Sequence, residues 1–511
     1  MISQIKSFGL IGLIGYAISV EVCVSAGLPA FEIVGLPDTV VKESKERVRA
    51  ALKSTGFEFP NGRITINLAP ANTKKEGSVY DLPIAMGILE ASGQIKKGLV
   101  SEYAFFGELG LKGDVRRVYG MLPMILEAKK LGIKKVFVPH DNANEAAYVD
   151  AVSVFSAKTL REIVDHFVYE ECRIEAMPIN SWSDESEVSV YDFAEIKGQE
   201  AAKRAAEIAV AGGHNILLAG TPGSGKTMLA KCIPSILPKL TFEEALEITA
   251  IHSVAGELGT DGIVKSRPFC APHHSASAVA LTGGGVKALP GCVSLAHMGV
   301  LFLDELPEFK RSTLEALRQP IEDGVVSVIR ANAKSVYPAD FMLVAAMNPC
   351  PCGNYGSRRV ECRCTSSQIT RYVNKISGPL LDRIDLHIEM TEVGFDDITS
   401  NEKSEPSATI RDRVQKARNI QLERFKNDGI RTNSQMDNKH IKKYCELSTE
   451  ATAIMRRALE VYNLSARAYI RTLKVARTIA DLAGNAEILP IHIKEAVQYR
   501  SMDSKYWGKG Y

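Results

Sequence analysis

One short segment constrains this chain more than any other: Gly220-Thr-Pro-Gly-Ser-Gly-Lys226-Thr227. It matches G-x-x-x-x-G-K-[ST] without a mismatch. It follows the apolar run Ile216–Ala219 and precedes the helical Met228-Leu-Ala-Lys-Cys. A strand, a glycine-rich turn and a helix in that order let backbone N–H groups wrap phosphate oxygens, and the helix N-terminus favours their negative charge. Gly220, Thr221, Pro222, Gly223, Ser224, Gly225, Lys226, Thr227 and Met228 are therefore the expected nucleotide-binding residues. Lys226 should reach the β- and γ-phosphates, and Thr227 should ligate Mg²⁺, so the expected ligand is ATP with Mg²⁺. A chance glycine-rich turn is the alternative, and the flanking strand and helix count against it.

Downstream, Gly299-Val-Leu-Phe-Leu-Asp304-Glu305 is an apolar strand ending in two carboxylates. Asp304 is expected in the Mg²⁺ shell and Glu305 as the group that polarises the attacking water. Two acids after a strand can also cap a helix, but the phosphate loop favours catalysis. A third apolar run ends Ala345-Ala-Met-Asn348. A polar residue at that tip can orient the water opposite the γ-phosphate, whereas a turn-forming Asn before Pro349 is the plainer reading. Continuous apolar strands of this length suit a parallel sheet covered on both faces.

At 511 residues the chain has room for about three domains. Charge is balanced, with 62 basic and 60 acidic residues, so a nucleic-acid surface must be a local patch. The first block, 1–168, alternates β-rich runs (17–24, 31–34, 64–68, 103–107, 135–138) with helical stretches (39–54, 82–92, 120–131), an α+β pattern. Residues 169–189 turn polar and acidic and read as a linker. The core spans 190–395, and 409–511 is helical with an excess of basic residues, either a nucleic-acid face or solvated helix surfaces. The apolar run 8–20 is too short to cross a membrane. A signal peptide is conceivable there, but alternation over 16–24 favours strands, so a cytoplasmic protein with no membrane partner is expected.

Cys350-Pro-Cys352 and Cys362-Arg-Cys364 place four cysteines within fifteen positions. Four thiolates can enclose one Zn²⁺ tetrahedrally; a redox pair or free thiols are the alternatives. Tyr355, Arg358 and Arg359 between the pairs could meet DNA phosphate. Adjacent His273 and His274 are poor candidates to share one metal, and a structural or DNA-facing loop role is expected. Residues 322–337 alternate on either side of 331–334, a hairpin pattern.

The three strands, in this order, resemble the AAA+ ATPases. The segments 193–200, 270–277, 282–285, 317–324, Asn348-Pro-Cys-Pro-Cys-Gly353 and Ser377-Gly-Pro-Leu-Leu-Asp-Arg383-Ile-Asp385 narrow the resemblance to the magnesium-chelatase-like branch, and within it to the ComM/YifB family. It covers nearly the whole chain. It implies a hexameric motor for branched or single-stranded DNA, implicated in branch migration during natural transformation, with a C-terminal helical lid. It also implies an arginine finger at Arg383 that reaches the neighbouring subunit's nucleotide, and a second sensor arginine at Arg467, with Arg471 and Arg477 as alternatives. Related motors insert a hairpin into the central pore, where Arg330 and Lys334 could track the backbone. The family's usual arginine before Ala-Pro-His-His is Cys270 here. Metal insertion into a tetrapyrrole and protein remodelling are the competing functions.

The first block resembles the ribosomal-S5-like domain shared with Lon-type proteases, through 67–72, 75–84 and 106–115. Lon proteases use a Ser–Lys dyad. Here Val79 and Leu122 stand at those places, and neither can act as nucleophile or base. Ser78 is one position away. No peptidase activity is expected, and Lys74, Lys75, Arg116 and Arg117 are candidate phosphate contacts, with packing or solubility as the alternative.

Overall fold

Alternating side chains at the N-terminus build the first sheet. β1 (Ile2–Ile11) and β2 (Ile14–Ser25) form an antiparallel hairpin with Ile11 opposite Ile14. Gly12 opens the turn at φ +61°, a backbone that glycine adopts without strain. Ile5, Ile18, Val20 and Val22 are buried, while Lys6 and Ala17 face outward. The sequence pattern located the second of these strands but not the full first one.

The computed structural model describes residues 2–183, 190–285, 288–329, 334–357, 359–394, 404–462 and 464–507. The chain forms two compact units. The first comprises Met1–Asp184, Thr241–Lys265 and Ile329–Tyr337; the second comprises Glu185–Leu240, Ser266–Val328 and Pro338–Tyr511.

In the first unit, β3 (Ala30–Val34), β4 (Arg63–Ala69), β5 (Tyr103–Phe105), β6 (Lys135–Pro139) and β7 (Ser153–Ala157) complete a sheet of order β3-β4-β2-β1-β5-β6-β7. β2 runs antiparallel to β1 and β4, and the remaining pairings are parallel. Helix α1 spans Thr39–Ser54, and α2, Asp81–Ala91, is buried along its whole length. A helix apolar all round belongs inside a core. Its buried Glu90 is satisfied by the Ser3 hydroxyl and the Gly98 N–H. The helix Phe242–Ala255 also packs in this unit: Gly120 N–H donates to the Ser253 carbonyl at 3.0 Å and the Ser253 hydroxyl bonds Glu145.

The chain is thus not divided as its linear order suggests, because 241–265 and 329–337 join the first unit rather than the second. Nor is 172–183 a loose linker. Met177 and Asn180 N–H groups donate to the carbonyls of Val154 and Ala147 at 2.7 and 2.9 Å, strapping the segment to the unit it leaves.

The second unit holds a wholly parallel sheet. β8 (Ile216–Gly220), β9 (Phe269–Cys270), β10 (Val300–Leu303), β11 (Met342–Met347) and β12 (Leu386–Met390) lie in the order β9-β10-β11-β8-β12. β9 and β12 were not legible in the sequence: one is two residues long and the other, Leu-His-Ile-Glu-Met, mixes polar with apolar residues. Helix α3 (Glu200–Gly212) precedes β8, and α4 (Lys226–Cys232) follows it. The C-terminal part is helical, including α5 (Ser407–Arg424), α6 (Ala466–Leu482) and α7 (Pro490–Gln498). The expected hairpin is present as Val325–Ile329 and Lys334–Pro338.

A buried polar joint ties α6 to the sheet. Asp385, just before β12, accepts from Arg471 of α6 and from Asn215 N–H at 3.1 Å. Asn215 also accepts from Leu343 N–H at 2.8 Å, and His214 meets Thr478 of α6 at 2.8 Å. Burial opposes charge on Asp385, but the Arg471 guanidinium and His214 outweigh it and hold the carboxyl well below its usual range. A depressed pKa contributes stability above the ordinary aspartate range, and that stability is lost as pH falls below it. Asp385→Ala leaves Arg471 unpaired and is expected to destabilise this unit by about 3–5 kcal/mol. Chemical denaturation should show the loss at neutral pH and a smaller difference from wild type at pH values below the normal aspartate range.

Candidate functional site

The carboxyl ends of β8, β10 and β11 supply the expected chemistry. β8 leads into the phosphate loop, where Gly223 and Gly225 adopt φ +79° and +90°. A Cβ on Gly223 would meet nothing within 4 Å, so its glycine serves backbone conformation rather than clearance. Gly225 stands at the N-cap of α4 in the left-handed region. Thr221 Oγ1 and Ser224 Oγ are buried in this loop without a hydrogen-bond partner. Unpaired buried hydroxyls are costly, and a loop built for a polyanion supplies them a use. Lys226 Nζ turns back onto the carbonyls of Gly220 and Thr221 at 2.7 and 2.9 Å. Burial lowers its pKa, partly offset by Asp304. An anionic ligand would reverse that penalty. Met228, in the first turn of α4, is partly exposed.

Thr227 Oγ1 donates to Asp304 Oδ2 at 2.8 Å, which brings the loop and the end of β10 together. A hydroxyl beside a carboxylate is the hard-oxygen pair that suits Mg²⁺. Asp304 Oδ1 accepts the Glu305 N–H at 2.9 Å. Glu305 itself lies at φ +53°, a left-handed conformation that costs a non-glycine residue about 1–3 kcal/mol. Its Oε2 is 3.2 Å from His274 Nδ1. The His274 ring lies tilted against His273 (centroids 4.0 Å apart) and edge-on to Phe309. The sequence left this histidine without a chemical role, since nothing in its spacing reveals that 270–277 runs beside the acidic pair. Asn348 directly follows β11, the strand between β8 and β10, and is half-buried.

The arginines are placed apart from one another. Arg383 is nearly buried, with its guanidinium on Glu322 and on the Pro379 carbonyl at 2.7 Å. Its Nε has no partner. Glu322 is correspondingly held below the usual carboxylate range by that guanidinium. Arg467 is 65% exposed, with Asp382 3.9 Å away. Arg471 belongs to the Asp385 joint, and Arg477 is buried against Asp481 and the carbonyls of Asn485 and Ala486.

The cysteines converge. The four sulfurs of Cys350, Cys352, Cys362 and Cys364 lie within 4.8 Å of one another. Three separations are 3.4, 3.7 and 3.6 Å, and these four cysteines form no disulfide. A Zn²⁺ with about 2.3 Å bonds to four thiolates needs sulfurs roughly 3.8 Å apart, so this donor set fits the ion. Backbone N–H groups of Asn354 and Arg363 bring the Cys352 thiol down to about 6, while burial pushes Cys350 up to about 12. Arg359 donates to the Val393 carbonyl at 3.0 Å and lies near Glu392.

Several expected DNA contacts are otherwise engaged. Lys75 is buried, its ammonium on the carbonyls of Pro70 and Thr73, so it is no surface cation. Arg117 donates to the Leu258 carbonyl at 2.9 Å and has a buried Nε. Both side chains are thus engaged by backbone carbonyls within the protein. Lys74 pairs with Glu76 and Arg116 with Asp114, both exposed. Arg330 and Arg358 lie outside the described residues, and Lys334 opens the second hairpin strand. Val79 and Leu122 are core residues, and the Ser78 hydroxyl donates to Glu108.

Comparison with known proteins follows this geometry closely. The family model for magnesium chelatase, subunit ChlI, matches residues 192–398. A second, for subunit ChlI of Mg-chelatase, matches 20–142, and a third, for the ChlI C-terminal region, matches 404–500. Competence protein ComM of Haemophilus influenzae is 45% identical over 489 residues, 95% of this chain and 94% of that protein. The uncharacterized protein YifB of Escherichia coli is 43% identical over 503 residues, 98% of this chain and 97% of its own. Lon protease 2 of Bacillus subtilis is 29% identical over 131 residues, 25% of this chain and 23% of that protease. Magnesium-chelatase likeness supports an ATP-driven motor. With near-complete coverage at this identity, the chain belongs to the ComM/YifB family of magnesium-chelatase-like AAA+ proteins.

Proposed function

We propose that this protein is an ATP-hydrolysing, ring-forming motor that acts on DNA in the cytoplasm, a branch-migration helicase of recombination and natural transformation. The Thr227–Asp304 contact beside Glu305 carries the hydrolytic part, because it unites a phosphate loop with an acidic pair. The near-full-length likeness to a protein named for competence supports the DNA part.

In this reading the N–H groups of 220–225 bind the phosphates, and Lys226 exchanges two backbone carbonyls for phosphate oxygens. Thr227 and Asp304 would hold Mg²⁺, which would supply neutralisation of phosphate charge when bound. Glu305 accepts a proton from the attacking water, and Asn348 orients that water. Arg383 leaves Glu322 to reach a neighbouring subunit's nucleotide, and Arg467 serves as second sensor. Residues 1–168 form a non-catalytic S5-like domain, a view favoured by the burial of Val79 and Leu122 in its core. Residues 409–511 form the lid, and the ring is a homo-hexamer. Cys350, Cys352, Cys362 and Cys364 hold one structural Zn²⁺. A chelatase-like metal-insertion motor is the second reading, favoured by the ChlI family matches.

ATP turnover measured with and without four-way or forked DNA tests the function. Branched DNA should stimulate the wild type, and Glu305→Gln should lower the rate about 100-fold or more. Glu305-dependent turnover indifferent to DNA would move the assignment to metal insertion or protein remodelling. A second expectation concerns His274, whose Nδ1 lies 3.2 Å from Glu305 Oε2. His274→Ala should raise the basal kcat by about tenfold, the equivalent of about 1.4 kcal/mol of restraint removed from Glu305. KM for ATP should hold, and His274→Gln should restore the wild-type rate. A fall in kcat would mean that His274 orients the base rather than restrains it.

A further inference from the structure

The cysteine-rich insert begins two residues after Asn348, and its turn lies against the phosphate loop. Gly353 follows Cys352 at φ +83°. A Cβ placed on it would stand 2.7 Å from Pro222 Cγ and 2.9 Å from Pro222 Cδ. Side-chain atoms do not approach so closely, so only a hydrogen fits between the cysteine turn and the middle of the loop. The same insert walls the loop elsewhere. Pro349 and Tyr355 line a cavity of about 140 Å³ together with Gly220 and Thr221. The Tyr355 N–H donates to Cys350 Sγ at 3.3 Å, so the residue facing that cavity is fixed to one of the sulfurs.

Pro222 is the stiff member of a loop in which Gly223 and Gly225 take left-handed backbone conformations. A loop that must present several N–H groups at once binds more tightly when it is already ordered, because less freedom is lost on binding. Bracing Pro222 therefore pre-organises the phosphate site. The brace is only as firm as the insert, and the described insert has no helix or strand between Pro349 and Cys364. Its described order rests on a few side-chain contacts, such as Ser357 with Glu392 and Arg359 with the Val393 carbonyl, and on what joins the four sulfurs.

We propose that a thiophilic divalent cation of the zinc type, bound by Cys350, Cys352, Cys362 and Cys364, sets the affinity for nucleotide by bracing the phosphate loop through the Gly353–Pro222 contact. The inference rests on the structural-metal reading above and adds that the metal acts on nucleotide binding.

Two glycine variants of the full-length protein separate this from general damage. Gly353 and Gly356 share φ +83°, so alanine strains the backbone equally at both. Only at Gly353 does the new methyl meet Pro222; at Gly356 the nearest atom is Glu389 Oε1 at 3.9 Å. The measurements are zinc content by elemental analysis and titration with a fluorescent ADP analogue at saturating Mg²⁺. Gly353→Ala should keep its zinc and bind the analogue about tenfold more weakly than Gly356→Ala, the scale of an overpacked contact. Stripping the wild type with a chelator selective for zinc over magnesium should weaken binding similarly, and adding zinc back should restore it. Equal affinities for the two variants, or undiminished binding by stripped protein, would overturn the brace while leaving the metal in place. Wild type purified without zinc would overturn both.

Discussion

Everything chemical in this molecule depends on burying a parallel sheet on both faces. Ile216, Leu218, Val300, Leu303, Val344 and Ala346 are inaccessible to solvent, and parallel pairing brings the ends of their strands out on one side. The first polar residues after each strand therefore meet in space although they lie far apart in sequence. Gly220 to Thr227 follow β8, Asp304 and Glu305 follow β10, and Asn348 follows β11. The Thr227–Asp304 hydrogen bond is the direct product of that register. Open α/β sheets bind ligands outside the carboxyl ends of their strands for this reason.

Several polar groups at and near the site are paired within the protein. Lys226 is satisfied by two carbonyls, Thr227 by Asp304, Glu305 by His274 and Arg383 by Glu322. Of these groups Lys226 and Arg383 are nearly buried, and for them the loss of a partner would be costly.

The apolar strands and the phosphate loop were legible because their information is local. A glycine spacing between a strand and a helix needs no tertiary knowledge, and neither does a four-residue run such as Val300–Leu303. The same locality placed the four cysteines together, since two C-x-C pairs close in sequence have few ways to stay apart. What escaped was long-range. Lys75 reads as a surface cation, yet it is buried on the Pro70 and Thr73 carbonyls. The helix Phe242–Ala255 reads as part of the central block, and its bonds to Gly120 and Glu145 put it elsewhere. The apposition of His274 with Glu305, and of Gly353 with Pro222, joins segments 31 and 131 residues apart. No periodicity records such pairings.

The position of Arg383 carries a final consequence. Its side chain is only 10% exposed, one nitrogen has no partner, and Glu322, its carboxylate, is 60% exposed. The pair is therefore half in water. A half-exposed ion pair is weaker than a buried one, because solvent screens the more accessible member. Glu322 can be rehydrated readily once the guanidinium departs, so parting them costs less than breaking the Arg471–Asp385 joint, where the carboxylate would be left dry. Two arginine–carboxylate pairs, one on either side of Ile384, thus differ in kind. Arg471 with Asp385 fixes α6 to the sheet, and Arg383 with Glu322 is the pair whose partner can be exchanged.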